Sequence, residues 1–245
     1  MTDKKRFIEI EDNKIAYTVV KTRRKTIGII VERNGEVRVR APFRVSENQI
    51  FKVVQKKADW ILRKVNEAAE RSSSSVERKF ASGEKLLYLG DEYILETVEK
   101  DLAWAEVIKT ENTVAVYIPG GMSCEIRKQT IKKALEEWYR KRFSEIVKER
   151  VDRYSLRLKV FPRKIAIKDQ KTRWGSCSKK GNINLNWRLV MAPVDIIDYV
   201  VVHELCHLKV MNHSKDFWNL VMSILPNCNE SRKWLKINGD RLINS

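Results

Sequence analysis

Asp198-Tyr199-Val200-Val201-Val202-His203-Glu204-Leu205-Cys206-His207-Leu208, followed by Asn212-His213-Ser214, decides how the chain is read. His203 and His207 are four apart, so on a helix their imidazoles rise from one face and can share a metal ion. Glu204 lies beside that face, close enough to take a proton from a water without being a ligand. Ile196 and Val200 lie under the two His, and Ile197, Val201, Leu205 and Leu208 line a neighbouring face. A helix apolar on two faces is buried between layers, so polar groups on it need a reason. Continued to His213, the helix would turn that side chain roughly 240° away from His207. It is therefore expected to stop first, with Asn212 as a left-handed terminator and Ser214 capping the next helix, whose core face holds Phe217, Trp218, Val221 and Leu225. His213 then swings back toward the metal. The chain has 3 His, all in this stretch. Cys206 points off the His face and reads as a small buried hydrophobe.

Upstream, Pro162–Lys168 alternates as a strand. Trp174-Gly175-Ser176-Cys177-Ser178 and Asn182–Asn186 read as a hairpin across a Lys179-Lys180-Gly181 turn. A Ser or Cys nucleophile there would need a His base, and all three His are better used on a metal. Trp174 is expected to pack, Gly175 to permit a bend, and the hairpin to form an edge beside the His helix. Asn184, Asn186 and Arg188 read either as substrate contacts on that edge or as turn and surface groups.

A long helix begins near Glu125, with Ile131, Leu135, Trp138, Ile146 and Tyr154 at helical spacing. Before it lie strands at Lys85–Leu89, Glu92–Glu96, near Val107 and at Thr113–Ile118. The front carries strands at Lys14–Val20, Thr26–Val31 and Val37–Ala41, with Arg33-Asn34-Gly35-Glu36 as a hairpin signal. One helix capped by Ser46 runs to about Ala69, and residues 71–79 read as a Ser-rich linker. No internal repeat stands out. The pattern predicts an α+β chain: a β-rich N-terminal region over 1–124 and a catalytic domain over 125–245.

Composition sets limits. The 245 residues are 43% hydrophobic and 33% charged, which suits a globular chain rather than a collagen-like or linker-like one. No apolar run approaches the roughly 18 residues of a membrane span, and no apolar leader marks the N-terminus. Four Cys without a CxxC pair point to reduced thiols, and together these features predict a cytoplasmic protein that contacts no membrane. The net charge of +17 is uneven: residues 1–80 and 125–180 carry +9 and +12, whereas 81–124 carry −5 and 181–245 carry +1. Basic blocks of this kind attract polyanions, nucleic acid being the usual candidate, or simply solvate a surface.

Trp174-Gly-Ser-Cys-Ser, Asn184-Leu-Asn-Trp187, the His203 helix and Asn212-His-Ser-Lys-Asp-Phe-Trp218 resemble the YgjP-like metal-dependent hydrolases, relatives of the SprT and Spartan zinc metallopeptidases. The resemblance is strongest from about Lys164 to Trp218. It extends forward to Arg23-Arg-Lys-Thr-Ile27, Arg40-Ala-Pro42 and Lys57-Ala-Asp-Trp-Ile61. It implies a zincin-like domain with Zn2+ on His203, His207 and His213, Glu204 as general base, and protein or peptide as substrate. The His spacing also equals that of metzincins, but Val210 stands where those have Gly.

Two other readings share the metal. A YbeY-like endoribonuclease has the same His spacing, and the positive charge suits RNA. A nucleic-acid-binding module with a structural zinc would bind without hydrolysis.

Overall fold

In the computed structural model, residues 5–10, 13–32, 34–74, 78–170 and 172–243 are described. Six α-helices and three sheets among them make a mixed α+β chain. It divides into two units, Met1–Glu77 and Arg78–Ser245.

The first unit opens with β1 (Lys5–Ile10) and β2 (Asn13–Thr22), an antiparallel pair, followed by β3 (Gly28–Val31) and β4 (Val37–Pro42). The sheet order is β1-β2-β4-β3, with β2 and β4 parallel. Ile15 and Tyr17 on β2 and Val37, Val39 and Ala41 on β4 alternate into one buried face. Against it pack α1 (Glu47–Lys56) and α2 (Ala58–Ser74), through Ile50, Val54 and Ile61. Ser46 caps α1 as expected, in a reciprocal box with Gln49. The single helix expected from Ser46 is two helices, broken at Lys57, whose φ of −108 and ψ of 13 leave helical geometry. The second helix also runs past Ala69 to Ser74, because backbone hydrogen bonding can propagate beyond the last apolar position. Arg33 and residues 75–77, parts of the expected turn signal and linker, lie outside the described residues.

The second unit repeats the same sheet plan. β5 (Lys85–Tyr88), β6 (Asp91–Lys100), β7 (Glu106–Lys109) and β8 (Thr113–Pro119) are ordered β5-β6-β8-β7, again with one parallel pair between two antiparallel ones. Pro42 and Pro119 end the equivalent strands, and Ser46 and Ser123 cap the helices that follow. The sequence hides this repeat because the two copies share a burial pattern and punctuation, not residues.

α3 (Cys124–Leu158) buries Ile131, Leu135, Trp138, Phe143, Val147 and Tyr154 in one core with Leu95, Val114, Val116 and Ile118 of the sheet. The strands of 85–119 therefore belong with the C-terminal unit. The chain divides in the Ser-rich segment rather than at the 124/125 boundary expected from sequence, since β5–β8 need α3 to cover their apolar face.

A third sheet, ordered β10-β11-β9, is built from β9 (Lys164–Lys168), β10 (Gly175–Cys177) and β11 (Asn182–Asn186). The expected hairpin is β10 against β11, and β10 is the edge strand. After a 3-10 turn at Trp187–Met191 come α4 (Val194–Cys206), α5 (Lys215–Ile224) and α6 (Cys228–Ile243). The sequence reading contains no counterpart of α6.

Candidate metal centre

α4 is apolar nearly all round: Ile196, Ile197, Val200, Val201, Val202, Leu205 and Cys206 are buried. It packs against α3, α5, α6 and β10. A partly buried ion pair, Arg150 to Asp198 at 3.5 Å, fastens it to α3, and burial pushes the Asp198 carboxyl above its ordinary range. Such a helix is held from every side, which fixes where its polar residues stand.

The helix ends at Cys206 with His207 as its C-cap, and it ends by tightening. Leu208 and Lys209 donate to the carbonyls three residues back, Leu205 and Cys206. No left-handed residue is used: positive φ at non-glycine residues occurs at Phe80, Leu89 and Lys159 among the described residues, so Asn212 is not the expected terminator. Instead its Oδ1 accepts from the Ser214 N–H at 3.3 Å, a local turn that redirects the chain. Ser214 holds the N-cap position of α5, but its hydroxyl makes no cap bond.

These turns bring the three imidazoles together as the spacing predicts. One ring nitrogen from each of His203, His207 and His213 lies within 4.8 Å of the others. His213 Nε2 is 3.1 Å from His203 Nε2. Phe217 of α5 is wholly buried and touches all three rings: it stacks on His207 at 4.5 Å and meets His203 and His213 edge-on at 4.9 Å each. Trp218 stacks on His213 at 5.8 Å. The sequence assigns Phe217 and Trp218 only to the core face of α5.

The donor set fits a divalent cation. His207 Nδ1 lies 3.1 Å from the Val210 carbonyl, which can only accept, so Nδ1 carries the proton and Nε2 keeps a free lone pair. Burial lowers the pKa of His207 and brings that of His203 down to about 3, helped for His203 by the neighbouring imidazoles, so both rings are neutral near pH 7 as ligands must be. Cys206 is buried outside this group, its thiol pushed up to about 12 by desolvation.

Glu204 is 5% exposed, and its Oε2 is buried with no hydrogen-bond partner among the described residues. Burial raises its pKa to about 7, with Arg173 pulling the other way. The carboxylate rests against Gly175 of β10: a Cβ there would stand 2.5 Å from Oε1 and 2.7 Å from Cγ. Gly175 is therefore needed for space. It does not have the positive φ of a bend. Trp174 packs as expected, with Gly239 of α6 against its ring.

The remaining polar groups of the hairpin have partners within the chain. Buried Asn186 donates from Nδ2 to the Gln170 and Arg173 carbonyls at 2.7 and 3.1 Å, pinning the loop before Trp174. Asn184 donates to Ser176 Oγ at 3.1 Å, and Arg188 pairs with Asp169. Two residues that the sequence reading does not place at the site do stand there. Tyr199 and Arg232 line a cavity of about 220 Å³ together with His203 and Glu204. Tyr199, one turn before His203, carried a helical-spacing signal. Arg232 carried none, because α6 itself went unread.

A family model described as YgjP-like, metallopeptidase domain, matches residues 25–238. No curated protein matches the chain. Among solved structures, the metallopeptidase zymogen of Pyrococcus abyssi abylysin is similar at 26% identity, over 37% of this chain and 93% of that one, with a TM-score of 0.34.

Proposed function

The chain belongs to the YgjP-like metallopeptidase-domain family, a family of metal-dependent hydrolases, and from that membership we propose that it is a zinc-dependent peptidase with His203, His207 and His213 as ligands and Glu204 as general base. The observation that carries this reading is the convergence of three imidazoles within 4.8 Å beside a buried carboxyl that has no partner of its own. Three imidazoles suit zinc and leave a position open, as a hydrolytic site requires. A divalent cation in such a site supplies Lewis acidity toward a carbonyl and toward water.

The chain's own residues supply the rest. Glu204 takes a proton from the attacking water and returns it to the leaving amine. Gly175 gives that carboxyl its place, and the Val210 carbonyl fixes the His207 tautomer. β10 is an edge strand running past Glu204, so its outer backbone groups can pair with an extended peptide. The family's description as a metallopeptidase domain favours peptide over RNA as substrate.

The test is to incubate zinc-loaded protein with casein, with a DNA-bound basic protein and with single-stranded RNA, beside the Glu204→Gln protein. Cleavage of protein by the wild type alone is the expected result. Cleavage of RNA alone would replace the reading with a nuclease, and zinc binding without any hydrolysis would leave a structural metal.

A further inference from the structure

The cavity shared by His203 and Glu204 has a cation in its wall. Arg232, on α6, lines it together with Tyr199 and Trp174. Its guanidinium carbon lies 5.0 Å from the centroid of Trp218, the ring that stacks on His213. Arg127, Arg140, Arg150 and Arg188 of this unit lie against carboxylates. Arg232 has no carboxylate partner among the described residues. Exposed Arg232, its guanidinium over an indole, keeps its N–H groups free, and a free planar fork beside a reaction centre matches a carboxylate in two places at once. The cavity, at about 220 Å³, is smaller than the roughly 300–1,000 Å³ of ordinary ligand pockets, which suits one residue rather than a length of chain.

We propose that Arg232 is a specificity-determining residue that grips a carboxylate of the substrate residue next to the cleaved bond. This rests on the peptidase reading of the same site. The carboxylate has two sources, the C-terminus of a chain or an Asp or Glu side chain, and both present the same pair of oxygens to the guanidinium.

Three probes separate the outcomes: N-acetyl-alanyl-alanine, its C-terminal amide, and N-acetyl-alanyl-glutamate amide. Their binding is measured by calorimetry on the zinc-loaded Glu204→Gln chain, with and without Arg232→Ala or Arg232→Lys, and needs no cleavage. One or both acidic probes should bind at least about tenfold more tightly than the neutral amide, a gap that charge-assisted hydrogen bonds readily supply. Arg232→Ala should erase the difference and Arg232→Lys should restore part of it. Preference for the free acid identifies a chain terminus, and preference for the glutamate amide identifies an acidic side chain. In the otherwise wild-type enzyme, Arg232→Ala should raise KM for acidic peptides far more than it lowers kcat. Equal binding of all three probes, or a preference that survives Arg232→Ala, overturns the proposal. So does an Arg232→Ala enzyme that loses kcat equally on every peptide at unchanged KM. Peptide cleavage without acid preference removes this proposal alone, whereas Arg232-dependent binding without cleavage of any peptide removes the peptidase reading and leaves Arg232 as a carboxylate-binding residue without a role in specificity.

Discussion

The carboxylate of Glu204 occupies the space in which any other residue at position 175 would place its side chain, since a Cβ on Gly175 would meet Oε1 at 2.5 Å. The Trp174-Gly-Ser-Cys segment and the His203-Glu204 segment are thus two sides of one contact. The edge strand sets where the Glu204 carboxylate stands, and that carboxylate in turn requires glycine in the strand.

Gly175→Ala should therefore act on Glu204 rather than on the metal ligands. The added methyl meets both Oε1 and Cγ, so the side chain must rotate or β10 must shift, at an overpacking cost of about 1–3 kcal/mol. Zinc content should be unchanged while turnover falls at least about tenfold, because general-base catalysis depends on hydrogen-bond reach. Full turnover in a stably folded Gly175→Ala protein would mean that Glu204 does not need this position.

Phe217 offers a second test, of how the three imidazoles are held. Its ring contacts all three imidazoles and is fully buried. Phe217→Ala should cost about 3–5 kcal/mol of stability. Phe217→Leu keeps most of the volume but loses the flat surface that aligns the rings. It should weaken zinc about 10–100-fold, the range seen when groups supporting metal ligands are changed. Competition with a chelator at neutral pH measures this directly.

Among the three imidazoles the burial is graded: His207 is 8% exposed, His203 is half-buried and His213 is exposed. His203→Ala and His207→Ala should each remove most zinc binding, and His213→Ala should weaken it less, since water can take the place of an exposed ligand. Elemental analysis of protein purified without chelator reads all three. Full zinc occupancy in His203→Ala or His207→Ala would remove that residue from the ligand set.

The local signals legible in the residues are those in which sequence neighbours act on each other. The four-residue His spacing, the Ser46 cap and the hairpin from Gly175 to Asn186 are of this kind. The break at Lys57 and the tight exit of α4 at His207 depend instead on small changes in backbone angle that several sequences allow. α6 lacks a clean apolar stripe, and its approach to Trp174 at Gly239 is a contact across the fold, as is the place of Arg232 at the cavity. Gly175 was legible as a special position but not for its reason, which lies across the fold at Glu204.

The buried state of Glu204 also predicts a pH-dependent effect on folding in protein stripped of metal by chelation. Its pKa in the folded chain is raised from 4.5 to about 7 by burial. The folded chain therefore binds this proton more tightly than the unfolded chain does. That advantage is present at low pH and is lost as pH rises from about 4.5 through about 7, above which the folded chain carries a buried charge. Glu204→Gln keeps the shape and removes the ionisation. Against metal-free wild type, its Tm should be clearly higher at about pH 8, and the gap should shrink toward zero near about pH 5. The other ionisable groups are the same in both proteins, so their contribution cancels in the comparison. Zinc should close the gap at high pH, because a nearby cation favours the carboxylate. A Tm difference that stays constant from pH 5 to pH 8 in the metal-free proteins would show that Glu204 keeps an ordinary pKa there despite its burial.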